Sequence, residues 1–170
     1  MPSDPPKLLL DEMLRRVGHW LRAAGHDVAI AAPGTDDGAI VRQAKAEGRL
    51  LVTCDRRMAE RRLARGRVLI YPVAPPDETA VALGRALGID WLYQPFTRCL
   101  MDNAVLREAD EEERKRVPKD TMVTGGPVNL CPDCGRLYWP GSHVVRLRKR
   151  LEDLRAASAA PQPRRLTDPA

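Results

Sequence analysis

Apolar positions along the chain fall into short continuous runs separated by stretches with helical spacing. Leu8-Leu-Leu10, Asp27-Val-Ala-Ile-Ala31, Arg49-Leu-Leu-Val-Thr53 and Val68-Leu-Ile-Tyr71 read as strands. Near-continuous apolar runs mark strands that are covered on both faces, as in parallel sheets. Between them, Leu14, Val17, Leu21 and Ala24 recur at the period of a helix from about Glu12 to Ala24, widened by Trp20 and closed by Gly25. A second helix runs from Asp37 to Glu47, with Ile40, Val41 and Ala44 inward, and stops at Gly48. An arginine-rich third follows Asp55 to about Ala64, ended by Gly66, and a fourth runs from Asp77 or Glu78 to Leu87. This alternation predicts an α/β fold, a three-layer α/β/α sandwich with a mainly parallel sheet and right-handed crossovers. Its loops gather at the carboxyl ends of the strands, where ligands bind.

After about Asp90 the texture changes to short apolar pieces, a charged run from Arg107 to Arg116, a glycine pair and then Cys131-Pro-Asp-Cys134. The expected division is an N-terminal extension over residues 1–6, an α/β domain over 7–90, a small metal-stapled module over 91–155 and a disordered tail over 156–170. The module ends in a helix from Val144 to Ala157, capped by Ser142.

Acidic residues stand where strands end or helices begin: Asp11, the pair Asp36-Asp37, and Asp55. Each alone reads as a helix N-cap. Three at corresponding edges of successive β-α units point instead to a divalent-cation site, because Mg²⁺ and Mn²⁺ prefer hard oxygen ligands. Such a metal activates water and neutralises charge on a scissile phosphate, which fits phosphodiester hydrolysis.

Other chemistries lose support. The chain has no Gly-x-x-x-x-Gly-Lys-Ser/Thr loop and no Gly-x-Gly-x-x-Gly after a strand. His19, His26 and His143 are too scattered for a triad and read as surface residues. Cys54, at the end of an apolar strand, reads as a buried free thiol. The remaining cysteines suit metal ligation better than disulfides.

Composition adds little beyond this. The 28 basic and 23 acidic residues leave a formal charge of +5 and a pI near 9.3, a modest bias toward polyanions. No run approaches the roughly 20 apolar residues of a membrane span, and the first residues lack a signal-peptide pattern, so a soluble cytoplasmic protein with no membrane partner is expected.

Taken together, Leu10-Asp-Glu-Met-Leu14, Trp20-Leu-Arg-Ala-Ala-Gly25, Asp36-Asp37, Leu51-Val-Thr-Cys-Asp-Arg56, Pro95-Phe-Thr-Arg-Cys99, Arg116-Val-Pro118 and Cys131-Pro-Asp-Cys-Gly-Arg-Leu-Tyr-Trp-Pro-Gly-Ser-His143 resemble the Mut-seven C-terminal ribonuclease family. That resemblance implies a PIN-like nuclease domain joined to a zinc ribbon, and metal-dependent cleavage of single-stranded or structured RNA. It carries catalysis onto Asp11, Asp37 and Asp55, with Asp36 as a further Mg²⁺ or Mn²⁺ ligand. Related PIN-like families often have an acid two residues after Asp55, where this chain has Arg57. The family also presents Cys-x-x-Cys twice. Here the first pair reads Cys99-Leu-Met-Asp102, which implies a structural Zn²⁺ held by Cys99, Asp102, Cys131 and Cys134.

RNA contacts are expected from Arg56, Arg57 and Arg61, from Arg15 and Arg22 with His19 on one face of the first helix, and from Arg146 and Arg148. Tyr138 and Trp139 are expected to pack the ribbon rather than stack on bases. The alternative functions are a nonenzymatic RNA-binding protein with a degenerate PIN-like site, and a phosphatase of small phosphorylated molecules.

Overall fold

The computed structural model describes residues 5–60, 68–123 and 125–160. The expected helix end near Ala64 and Gly66, the position of Arg61 and most of the C-terminal tail lie outside them. Four strands, β1 (Leu8–Leu10), β2 (Val28–Ile30), β3 (Leu50–Thr53) and β4 (Val68–Ile70), form one parallel sheet in the order β2-β1-β3-β4. In register, Leu9 lies between Ala29 and Leu51, and Leu10 between Ile30 and Val52.

The period-two alternation of strand side chains distributes the leucine run between two cores. Leu8 and Leu10 enter a cluster with Val17, Leu21, Leu83 and Trp91, while Leu9 joins Leu51, Ile40, Val41 and Met58 on the other face. The helices are α1 (Arg15–Ala23), α2 (Asp37–Ala46), α3 (Arg56–Glu60 as far as described), α4 (Pro76–Leu87), α5 (Glu111–Arg114) and α6 (Ser142–Ala159). The first core holds residues of α1, α4 and α6, and the second those of α2 and α3. The result is the three-layer sandwich.

Local chemistry sets the helix starts. Asp11 caps a 3₁₀ turn, Glu12–Leu14, that leads into α1, so the first helix begins in a tighter form than its periodicity implies. Pro76 is the first residue of α4, where its missing N–H costs nothing. Gly141, not Ser142, occupies the N-cap of α6. Gly25 closes α1 at φ +95, and a Cβ there would lie 2.3 Å from the Gln94 carbonyl oxygen, so both conformation and proximity demand glycine.

Past α4 the chain doubles back over the α1–β2 turn. Gln94 N–H donates to Ala24 O (2.9 Å) and Phe96 N–H to Ala23 O (2.8 Å). A small antiparallel sheet follows, β5 (Arg107–Glu108), β6 (Asn129–Leu130) and β7 (Leu137–Tyr138), in the order β5-β6-β7. Its core is Ala109, Val128 and Leu130, with Leu137, Val117 and Trp139 packed against them. Trp139 therefore packs the ribbon, as expected.

Although it was grouped by sequence with the ribbon, α6 packs along α4 and places Leu151 and Leu154 in the core of the large sheet. Arg85 Nη2 donates to Ala157 O (2.8 Å) and Ala160 O (3.0 Å), and Trp91 Nε1 donates to Ser158 Oγ (3.2 Å). A Cβ on Gly84 would fall 2.3 Å from Ser158 Oγ, so a glycine is needed for this close approach. Among the described residues, no helix is long and apolar enough to cross a membrane.

His26 departs from its expected surface position. It is 2% exposed, its Nε2 donates to Asp90 O (2.8 Å), and its Nδ1 has no hydrogen-bond partner among the described residues. The ring stacks on Tyr93 at 5.4 Å. Burial, its largest influence, lowers its pKa.

Candidate active site and metal centre

Strands β1 and β3 are neighbours, so the residues that follow them, Asp11 and Asp55, leave the sheet side by side. Asp37 opens α2, in the crossover between β2 and β3. All three line one cleft of about 170 Å³, together with Glu12, Thr35 and Met58.

Asp11 is the fixed member. It is 7% exposed, its Oδ1 accepts from Met13 N–H (2.8 Å) and its Oδ2 from the Thr53 hydroxyl (2.6 Å). Thr53 is fully buried, and the same hydroxyl oxygen accepts from Asp55 N–H at 3.0 Å. One hydroxyl thus ties the two carboxylate-bearing segments together. Asp55 Oδ1 accepts from Arg57 N–H (2.8 Å), and among the described residues its other oxygen accepts no hydrogen bond. Thr53 was not among the expected site residues; the signal was a lone hydroxyl inside the apolar run Leu50-Leu-Val-Thr53.

The cleft does not include Asp36, the fourth acid expected to bind the metal. Asp36 is exposed, its Oδ1 accepts from Ala39 N–H (3.1 Å) as the α2 N-cap, and it does not line the cleft. Glu12, exposed and in the 3₁₀ turn, does line it. Capping satisfies an orphan N–H at the head of α2 and directs the Asp36 carboxylate to its own backbone.

The expected RNA-binding arginines separate into two groups. Arg15, Arg56, Arg57, Arg146 and Arg148 are exposed, and Arg148 covers the Phe96 ring at 5.1 Å. Arg61 lies outside the described residues. Arg22 is a correction, because it is 4% exposed and its hydrogen bonds go to backbone carbonyls. Its Nε donates to Val28 O (2.8 Å), and its Nη1 to Leu100 O (2.8 Å) and Met101 O (2.7 Å). It holds the loop between Cys99 and Asp102 against β2, and its burial leaves little of it to meet a phosphate.

That loop is half of the second site. Cys99, Asp102, Cys131 and Cys134 each offer a ligand atom, all within 4.8 Å of one another. Cys99 Sγ and Cys134 Sγ are 3.8 Å apart, and Cys131 Sγ is 3.3 Å from Asp102 Oδ1. A tetrahedral Zn²⁺ with Zn–S bonds of about 2.3 Å needs sulfur–sulfur edges of about 3.8 Å, so the donors fit it. Cys134 N–H points to Cys131 Sγ (3.5 Å) and Gly135 takes φ +69, which forms the tight turn of a metal knuckle. Asn103 anchors the other side, accepting from Val28 N–H (3.0 Å) and donating to Asp27 Oδ1 (2.7 Å).

The electrostatics favour a cation. Burial pushes the Cys131 thiol up to about 12, so this thiol stays protonated unless a cation lies against it. Burial acts to raise Asp102 as well, but hydrogen bonds from the Cys134 and Cys99 thiols and from Ala104 N–H outweigh it and hold the carboxyl at about 2. A divalent ion reverses the balance for the thiols. The Tyr138 hydroxyl, 3.1 Å from Cys99 Sγ and 3.0 Å from Leu100 N, braces the cluster from outside.

A family profile described as the Mut7-C RNAse domain matches residues 6–151, which is most of the chain. No curated protein and no solved structure matches it.

Proposed function

The chain belongs to the Mut7-C RNAse domain family, which makes its function ribonuclease-type with RNA as the substrate, and from that premise we propose a metal-dependent hydrolase of RNA phosphodiesters. The observation that carries the reading is the meeting of Asp11, Asp37 and Asp55 in one cleft, with Asp11 and Asp55 joined through the buried Thr53 hydroxyl. This is an all-oxygen donor set in an open pocket, as Mg²⁺ or Mn²⁺ requires. In this reading the three aspartates are the catalytic carboxylates, and Glu12 takes the place once expected of Asp36. A bound ion supplies an acidified water and neutralises developing phosphate charge.

The chain's own residues do the rest. Thr53 and Met13 N–H fix the orientation of the Asp11 carboxylate, so it is preorganised before substrate arrives. Arg56 and Arg57, exposed at the start of α3, offer charge-assisted hydrogen bonds to the phosphates flanking the cleft. The PIN-like unit spans residues 7–90 with α6 closing its core, and the ribbon carries a structural Zn²⁺ on Cys99, Asp102, Cys131 and Cys134. Cysteines gathered as free thiols suit a reducing cytoplasm.

Cleavage of 5′-labelled single-stranded RNA in Mn²⁺ tests this, with Asp37→Asn as the variant because Asp37 sits at the head of a helix outside both cores. A loss of at least roughly 100-fold is expected; equal rates would sink the catalytic assignment. Arg57, standing where an acid is usual, favours a second reading as a nonenzymatic RNA binder. Unchanged RNA affinity with no cleavage in any divalent ion would establish it.

A further inference from the structure

A second concavity exceeds the acidic cleft in volume. A groove of about 800 Å³ runs between α1, the ribbon and the first turn of α6, well inside the range of about 300–1,000 Å³ for ligand sites. Its walls are mostly apolar, with Leu100, Leu137, Pro118, Tyr138 and Trp139. Among the described residues its charged or titratable groups are His19, Arg116, Arg136 and His143, apart from the Tyr138 phenol, with no carboxylate in the lining. Arg116 and Arg136 are exposed, and Arg116 Nη2 donates to Gly135 O at 3.2 Å, which ties its guanidinium to the edge of the groove. The Tyr138 ring is held in place by the bonds of its hydroxyl to Leu100 N and Cys99 Sγ.

We propose that this groove is a second nucleic-acid site that seats unpaired nucleotides of the RNA, its bases on the Tyr138, Trp139 and leucine surface and its phosphates on Arg116 and Arg136. The proposal rests on the reading of the chain as an RNA-acting enzyme and names the form of RNA it takes. An apolar floor with a purely cationic rim matches a single strand, whose bases are free to stack and whose phosphates need cations. A duplex hides its bases and gains nothing from such a floor. A second copy of the chain would need an acidic, apolar protrusion to match it.

One chain segment borders both sites: Asp11 to Met13 line the cleft, and His19 lines the groove. His19 lies on α1, eight residues beyond Asp11, which is roughly 12 Å at helical rise. Arg15 lies between them, exposed and one turn before His19 on the same face. Burial and then the charges of Arg22 and Arg15 lower the pKa of His19, so it meets the strand as a neutral imidazole. A strand held in the groove is thereby led along α1 toward the carboxylates.

The test is anisotropy of a fluorescent, unstructured RNA 12-mer, without Mg²⁺ or Mn²⁺ so that no cleavage intervenes, at several salt concentrations. Arg116→Ala/Arg136→Ala should weaken binding roughly tenfold and lower the log–log salt slope by about 1.4, two contacts at about 0.7 each. Arg42→Ala/Lys45→Ala, the same charge change on α2 across the sheet, should leave both within error. In parallel, a 4-thiouridine RNA should cross-link wild-type protein within residues 136–144, a readout that needs no variant to fold. Equal effects of the two double variants, or cross-links confined to other segments, would overturn the proposal. So would a dimer in sedimentation that Arg136→Ala disperses. Cleavage with unaltered affinity in the groove variant would remove the groove and leave the nuclease; binding at the groove without cleavage would do the reverse.

Discussion

Replacing Thr53 tests the link between packing and chemistry most finely. Valine has almost the same shape, so Thr53→Val keeps the β3 packing while deleting the one oxygen that donates to Asp11 Oδ2 at 2.6 Å and accepts from Asp55 N–H at 3.0 Å. A hydrogen bond to a charged group contributes about 1.5–3 kcal/mol and a neutral one about 1 kcal/mol, and stranding a buried carboxylate costs a similar amount again unless water reaches it. The added methyl recovers at most about 1 kcal/mol. Because Asp11 lines an open cleft, water offsets that last cost; a net loss of about 1.5–3 kcal/mol follows, which for a chain of this size is a Tm lower by about 3–12 °C. Because partners that orient ligands typically contribute 10–100-fold, Mn²⁺-dependent cleavage should fall by about that factor. Thr53→Ser keeps the oxygen and removes a buried methyl, so its Tm falls by a comparable amount while cleavage stays within about threefold. The assay is a thermal melt beside single-turnover cleavage of labelled RNA. If Val retains wild-type cleavage, or if Ser and Val lose it equally, the hydroxyl does not organise the site.

Three further outcomes are expected. His26 is neutral and buried in the folded chain, with its pKa lowered mainly by burial, while the unfolded chain takes up a proton near the ordinary value of about 6.5. Its stabilisation is complete above that pH and is lost as pH falls below it, so the Tm decline from pH 7.5 to 5 should be shallower in His26→Phe. Arg22→Lys cannot reproduce three guanidinium bonds to Val28, Leu100 and Met101, and should destabilise the fold by about 1–3 kcal/mol without changing RNA affinity of the folded protein, as chemical denaturation and anisotropy would show. Protein purified without chelator should contain about one equivalent of zinc by elemental analysis; chelation should lower Tm, and Asp102→Cys should slow zinc release by substituting a softer ligand.

The parallel scaffold was legible because a strand covered on both faces must be apolar at consecutive positions, and Leu8, Leu9 and Leu10 serve both cores. The same local signals misplaced residues whose partners are distant in sequence. Arg22 shares a helix face with Arg15 and looks equally free in the sequence, but two of its acceptors lie 78 and 79 residues away in the loop between Cys99 and Asp102. His26 is buried by a carbonyl 64 residues away. Asp36 and Asp37 differ by one position at a helix start, where a single step turns a carboxylate from the cleft to the backbone. The C-terminal helix reads as part of the ribbon by proximity in sequence; its leucines found their apolar partners on α4, across the whole ribbon. Trp139 packs against the ribbon core, as its apolar neighbours in sequence imply, and with Tyr138 it also walls the groove.

The central claim is that the carboxylates of Asp11, Asp37 and Asp55 meet on a common divalent ion. Anomalous diffraction from a crystal soaked in Mn²⁺ addresses it directly. The account predicts a peak within about 2.5 Å of oxygens from all three side chains, with Glu12 rather than Asp36 nearest among the other acids. A Mn²⁺ peak elsewhere, or none at these residues in protein that cleaves RNA, would contradict it.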